Sequence, residues 1–190
     1  MIIGSINEDL NTEKRISITP DIAKKYNGLG LKVNLVENYG NHLGFKDEDY
    51  KDNGVEFKGS DKEILENSDI IIQLGILNNE KSSLIKENQT LIGVFNPYEN
   101  DESLKKLTAK KVNVFSLELL PRITRAQSMD ILSSQANLAG YKAVIESFAT
   151  FEKAIPMMMT AAGTVPAAKV LVVGAGVAGL QAIATAKRMG

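Results

Sequence analysis

From its first residues the chain alternates short apolar runs rich in Ile and Val with helix-like polar segments. This alternation predicts repeated βα units around a mostly parallel sheet. Strands are expected at residues 2–5, 31–37, 55–58, 69–74, 91–95, 112–116 and 169–173. Runs such as DIIIQL and KVLVV are continuously apolar, as in strands covered by helices on both faces. The run LKVNLVE alternates instead and is expected nearer a sheet edge.

Helix starts are marked by their caps. Thr19-Pro20-Asp21 supplies a capping hydroxyl, a proline where its missing N–H costs nothing, and a carboxylate at the positive end of the helix dipole. Ser60-Asp61-Lys62-Glu63 fits a capping box. Gly28 and Gly30 close the first helix, and Asn100-Asp101 opens another that runs to about Lys110. A longer helix is expected from residue 129 to about 154. There Leu132, Ala136, Ala139, Ala143, Ser147 and Phe151 recur at spacings of three and four, a stripe of mostly small residues suited to close packing. At 1.5 Å per residue it would span about 40 Å, the length of a connector between two lobes. The residues that follow, MMMTAAGTVPAA, read as a loop.

Composition narrows the function classes. Among 190 residues, 22 Lys and Arg stand against 23 Asp and Glu, a formal charge of −1. That balance lacks the basic excess through which nucleic-acid and anionic-membrane binders attract phosphate, so no nucleic-acid partner is expected. The chain has no cysteine and one histidine, His42, which excludes disulfides, thiolate metal sites, cysteine nucleophiles and multi-histidine metal centres. No stretch reaches the ~18 consecutive apolar residues of a membrane span, and the start turns polar too early for a signal peptide. A soluble, cytoplasmic protein is expected.

Two segments carry candidate chemistry. In VLVVGAGVAGLQAIATAKRMG, Gly174, Gly176 and Gly179 form G-x-G-x-x-G between an expected strand and an Ala-rich helix. Gly174 permits a tight turn, Gly176 lets the backbone approach a pyrophosphate, and Gly179 lets helix and strand pack closely. The helix start, with Val177 and Ala178, offers free N–H groups to the phosphates. The bland alternative is a merely tight βα turn. An acid holding the adenosine ribose would stand ~20 residues further on, past Gly190, so the fingerprint does not choose NAD over NADP. The expected fold is α/β, with two Rossmann-like lobes of parallel sheet joined by a long helix. Residues 1–125 would form the N-terminal lobe, 126–155 the connecting loop and helix, and 156–190 the start of a nucleotide lobe, truncated after its first β-turn-α.

The second segment is PRITRAQSMDILSSQANLAGYKAV, where Arg122, Arg125, Gln127, Asp130 and Ser133 gather donors and acceptors in one loop. A structural reading competes with a functional one. In it, Ser128 caps the long helix, Asp130 sits in the first turn, and the arginines are solvated.

The blocks RITRAQSMDILSSQANLAGYKAVIESF and PMMMTAAGTVPAAKVLVVGAGVAGLQAIATAKRMG closely resemble the NAD(H)-binding domain of the alpha subunit of proton-translocating NAD(P) transhydrogenases. The start EKRISITP resembles the one these subunits share with alanine dehydrogenases, and residues 38–110 resemble the family only in βα layout. The resemblance implies that the loop residues Arg122, Ile123, Thr124, Arg125, Gln127 and Asp130, with Ser133, hold the nicotinamide end of NADH. Arg122, Gln127 and Asp130 would be the residues nearest the reaction. A carboxamide offers one acceptor and one donor group, so an arginine and a carboxylate can hold both. Gln127 would suit contact with the second nucleotide. The resemblance further implies hydride transfer from NADH to NADP held on the NADP-binding domain of a beta subunit. The remaining implied partners are a second copy in a homodimer and a membrane-spanning proton-channel domain, with this piece lying peripherally on the cytoplasmic face of the inner membrane. Hydride transfer between stacked nicotinamides requires placement and no acid or base, in keeping with the absence of a catalytic triad.

An alanine dehydrogenase would pair Arg15 with a lysine and a histidine to bind a small keto acid. By layout those positions read Gln73-Leu74-Gly75 and Asn96, so Arg15 is expected to be structural. A second alternative is a non-catalytic scaffold or dimerisation fragment, because the last expected strand has few neighbours. His42 is expected to be an ordinary loop residue. Met157, Met158 and Met159 either line a nucleotide cleft or fill core at the lobe boundary.

Overall fold

The computed structural model describes residues 1–190, which divide into two compact units, Met1–Leu120 and Pro121–Gly190. In the first unit the chain runs through β1 (Ile2–Ser5), α1 (Pro20–Gly28), β2 (Lys32–Val36), α2 (Asp47–Lys51), β3 (Val55–Lys58), α3 (Asp61–Asn67), β4 (Ile70–Gln73), α4 (Asn79–Leu84), β5 (Thr90–Gly93), α5 (Asp101–Ala109) and β6 (Asn113–Ser116). All six strands are parallel, in the order β3-β2-β1-β4-β5-β6. This is the doubly wound Rossmann-type order, whose direction of winding reverses between β1 and β4.

Some of the expected caps form as the residue types require. Thr19 is extended and its hydroxyl accepts from the N–H of Ile22, with Pro20 at the first helical position. Ser60 accepts from the N–H of Glu63, but Glu63 makes no return bond to the Ser60 N–H, so only half of the expected capping box forms; Asn78 accepts from the N–H of Lys81 at 2.9 Å. Gly30 takes φ +79° after α1, a conformation open to glycine without strain. Asn100 stands before α5 but does not cap it; its side-chain amide donates to the carbonyl of Phe95 instead.

The core lies on the sheet. Ile3, Ile18, Val33, Leu35, Ile64, Leu65, Ile71 and Leu91 are almost fully buried, each contributing about 1.5–3 kcal/mol of transfer free energy. Tyr39, Tyr50 and Phe57 continue it as two edge-to-face ring pairs with centroids 6.1 and 6.2 Å apart. The alternating run in β2 lies one strand in from the edge strand β3, nearer an edge than β4, yet Val33 to Val36 are all buried, Asn34 included.

In the second unit a 3₁₀ segment (Thr124–Met129) leads into α6 (Ile131–Thr150), followed by a hairpin of β7 (Met158–Thr160) and β8 (Gly163–Val165), and then α7 (Val177–Arg188). This unit departs from expectation in four respects. The long helix has 20 residues and spans about 30 Å, because Asp130 caps it and Phe151 is already extended. Its buried residues are Gly140 and Val144, one position round from the expected stripe; Ala139, Ala143 and Ser147 are exposed. Residues 169–173 form no strand: a strand exists by its ladder, no other segment pairs with this one, and Leu171 and Val173 are 87% and 92% exposed. The hairpin replaces the expected loop, and Met157, Met158 and Met159 are exposed, so they do not fill core. No helix of the chain is long and apolar enough to cross a membrane.

Candidate functional site

The polar segment after Pro121 folds back on itself. The N–H of Ala126 bonds the carbonyl of Ile123 at 2.9 Å, which buries Ala126 and fixes the 3₁₀ turn. Asp130 ends that turn in an extended conformation and becomes the N-cap of α6. Its Oδ1 accepts from the N–H of Ser133 at 2.9 Å and its Oδ2 from the Ser133 hydroxyl at 2.7 Å. Asp130, and not Ser128, is therefore the cap, because its carboxylate reaches the third N–H of the helix. These two hydrogen bonds, the hydroxyl first, hold the Asp130 carboxyl below the usual carboxylate range, with a smaller contribution from the charge of Arg122.

Arg122, Ile123, Thr124, Ala126, Gln127 and Asp130 line one cavity of about 290 Å³. The structure thus brings together a cation, an amide and a carboxylate, each with unused hydrogen-bonding capacity. Asp130 has about four lone-pair sites and spends two on Ser133. Arg122 forms none of the ion pairs in the chain. Ser133 and Arg125 do not line the cavity; Ser133 reaches Asp130 through two hydrogen bonds.

The glycine turn lies in the same unit. Gly174 adopts φ +106°, which only glycine takes without strain. A Cβ on Gly179 would stand 2.1 Å from the carbonyl oxygen of Gly174, so glycine is required where α7 leaves the turn. Gly176 differs: its φ is −75° and a Cβ there would meet nothing within 4 Å. Nothing inside the chain demands a glycine at 176, and its bareness leaves the start of α7 open. The first bond of that helix runs from the Leu180 N–H to the Gly176 carbonyl at 2.9 Å, so the N–H groups of Val177, Ala178 and Gly179 precede the ladder. Backbone donors of this kind suit an anion.

The first unit carries a polar cluster where its sheet reverses winding, at the carboxyl ends of β1 and β4. Gln73 is buried; its amide donates to the Ile6 carbonyl at 3.0 Å and accepts from the Ile6 N–H at 3.3 Å. Glu8 accepts from the N–H of Leu74 at 2.5 Å, and burial pushes its carboxyl above the ordinary value. Arg15 grips Glu13 through two guanidinium nitrogens, at 2.8 and 2.5 Å. Asn96, at φ +44°, turns the chain with its N–H on Glu118. His42 bonds the Lys14 carbonyl at 2.8 Å through its Nε2. The cluster ties loops together, and no group of His, Asp and Glu is arranged to hold a metal. Sequence reasoning missed the network of buried Gln73 and Tyr39 with half-buried Glu8, since no motif marks it. It also missed Gly140, whose signal was a glycine inside a helix.

Known proteins match nearly the whole chain. Residues 4–139 match the family described as Alanine dehydrogenase/PNT, N-terminal domain, and residues 143–190 the corresponding C-terminal domain. The chain is 44% identical over 194 residues to the first part of NAD(P) transhydrogenase subunit alpha of Rickettsia prowazekii, covering 100% of this chain and 51% of that one. A solved structure of transhydrogenase from Sinorhizobium meliloti superposes with a TM-score of 0.94 at 42% identity, over 100% of this chain and 57% of the other. Similarity to the alanine dehydrogenase of Methanococcus maripaludis is lower, 28% over 193 residues, covering 100% of this chain and 51% of that one. The chain spans about half the length of the curated relatives it matches.

Proposed function

The chain belongs to the alanine dehydrogenase/PNT family, and on that premise we propose that it is the NAD(H)-holding part of a transhydrogenase alpha subunit, serving hydride transfer from NADH to NADP. The observation that carries this reading is the cavity in which Arg122, Gln127 and the Ser133-braced Asp130 converge. Arg122 would donate to the carboxamide oxygen of the nicotinamide and Asp130 would accept from its amine, so that one face of the ring is presented. Ile123 and Thr124 would flank the ring, Arg125 and Ser133 would support the loop, and Gln127 would face the second nucleotide. The N–H groups of Val177, Ala178 and Gly179 would receive the pyrophosphate over the bare Gly176, with Gly174 shaping the turn.

NADH supplies the hydride when bound. The residues of this chain would orient it and carry no proton in the step, because hydride transfer between two nicotinamides needs placement and no acid or base. In functional terms residues 1–125 would be a lobe, 126–155 the connecting loop and long helix, and 156–190 the start of the nucleotide lobe, with the grip from Arg122 to Asp130 straddling the first of these boundaries. The partners on this reading are a second copy, an NADP-binding domain of a beta subunit and a membrane domain through which transfer is coupled to proton movement, placing the chain at the cytoplasmic face of the membrane.

The alanine dehydrogenase reading is weaker, because Arg15 is engaged by Glu13 and the places expected to bear a lysine and a histidine read Gln73-Leu74-Gly75 and Asn96. Two assays on the full complex separate the readings. Hydride transfer from NADH to an NADP analogue is expected, and NADH production dependent on alanine is not. The reverse pattern overturns the proposal.

A further inference from the structure

We infer that Gly140 is a positioning residue for the dinucleotide: by letting the backbones of α6 and α7 touch, it sets the distance between the Gly174–Gly179 turn and the Arg122–Asp130 cluster. The inference rests on the nucleotide-site reading above and adds to it a residue that touches no ligand.

A Cβ on Gly140 would lie 2.1 Å from the carbonyl oxygen of Ala178, 2.8 Å from its carbonyl carbon and 3.0 Å from its Cα. All three atoms are backbone in the first turn of α7, which cannot swing aside as the tip of a side chain can. Gly140 lies within α6 and is absent from the positive-φ glycines, so its conformation does not ask for glycine. A glycine inside a helix costs up to about 1 kcal/mol relative to alanine. The close approach to Ala178 is what the missing side chain provides.

That contact ties together two places that would otherwise be independent. On one side, Ala178 precedes Gly179, which is itself closed against the Gly174 carbonyl. On the other, α6 runs without proline from Gly140 back to its cap at Asp130. Ten residues separate them, about 15 Å along the axis. Val144, one turn beyond Gly140, is buried, as are Ala182 and Thr185 one and two turns beyond Ala178. The phosphate donors and the nicotinamide grip are thus the two ends of one backbone-to-backbone assembly. A ligand held at both ends gains affinity from the match between its own length and that spacing. A methyl wedge between the helices would spoil the match without touching either end, and a misplacement of about 1 Å can cost on the order of 10²-fold.

The test titrates NADH, ADP-ribose and reduced nicotinamide mononucleotide into the full chain, wild type and Gly140→Ala, with thermal unfolding measured alongside. NADH is expected to bind the variant about tenfold more weakly or worse, while each half-ligand binds as it does to wild type. Unchanged NADH affinity overturns the inference. So does an equal loss for all three ligands, which would mark general damage to the unit. Should Gly140→Ala not fold, the wild type decides alone: NADH far tighter than either half supports a preset spacing, and NADH no tighter than ADP-ribose overturns it. A folded wild type that binds none of the three defeats the nucleotide-site reading itself, and the inference with it.

Discussion

Both carboxylate oxygens of Asp130 are held by one residue, Ser133: its N–H bonds Oδ1 at 2.9 Å and its hydroxyl bonds Oδ2 at 2.7 Å. The helix cap is therefore also a device that fixes the carboxylate in orientation and keeps it ionised. Replacing Asp130 with Asn should retain the cap, since Asn caps as well as Asp, yet remove the charge and one acceptor from the cavity. NADH affinity in the full chain is expected to fall about tenfold with the circular dichroism spectrum unchanged. Equal affinity for NADH would remove Asp130 from the site. Because its folded pKa is lowered, what the charged cap contributes is present at neutral pH. It is lost only as pH falls through that lowered value, below the ordinary carboxylate range.

The three glycines of the turn should respond differently to alanine. Gly176→Ala meets open space at an ordinary φ, so thermal stability should stay level or rise by the ~0.4–1 kcal/mol of reduced unfolded-state freedom. The methyl group would nonetheless stand where a pyrophosphate approaches, and NADH binding should fall. Gly179→Ala forces its Cβ onto the Gly174 carbonyl and should cost about 1–3 kcal/mol of stability as well as binding. A Gly176→Ala protein that binds NADH normally would show that nothing approaches that backbone.

In the first unit the hydroxyl of Tyr39 is a hub. It pairs with Ser5 Oγ at 2.8 Å and accepts from the N–H groups of Ser17 and Ile18 at 3.1 and 3.3 Å. Tyr39→Phe leaves the buried Ile18 N–H and the half-buried Ser17 N–H without this acceptor and should destabilise the unit by about 1–3 kcal/mol. Urea unfolding checks this: the midpoint should drop while the slope is unchanged.

Much of the fold is legible in the sequence, because continuous apolar runs and cap residues are local signals. Two of the seven expected strands, at 2–5 and 55–58, coincide with β1 and β3, and four more are shorter than expected by one or two residues at their ends or shifted by one. The seventh, 169–173, shows the limit: its composition is that of a strand, but pairing is a property of the surroundings, and no other strand borders it. The packed face of α6 escapes sequence reading for a related reason. Periodicity ranks apolar residues, whereas the packed position, Gly140, is defined by what it lacks. In the site, residue types point to Arg122, Gln127 and Asp130, and the geometry adds that Ser133 braces Asp130 without lining the cavity.

Glu8 offers a test of the buried network by pH. Burial raises its carboxyl above the ordinary value, so the folded protein holds this proton more tightly than the unfolded chain does. Stability from this group therefore declines as pH rises through the window just above the usual carboxylate pKa. Glu8→Gln, which keeps an acceptor for the Leu74 N–H, should flatten that decline. Stability measured from acid to neutral pH should show the variant gaining on the wild type as pH rises; a constant gap would contradict the assignment.

The most direct test is calorimetric titration of the full, folded chain with NADH. One saturable site with an affinity of roughly 1 μM to 1 mM, the usual range for substrates, is the predicted result, lost or weakened together in Asp130→Asn and Gly176→Ala. No binding to a chain whose thermal unfolding is cooperative would contradict the account.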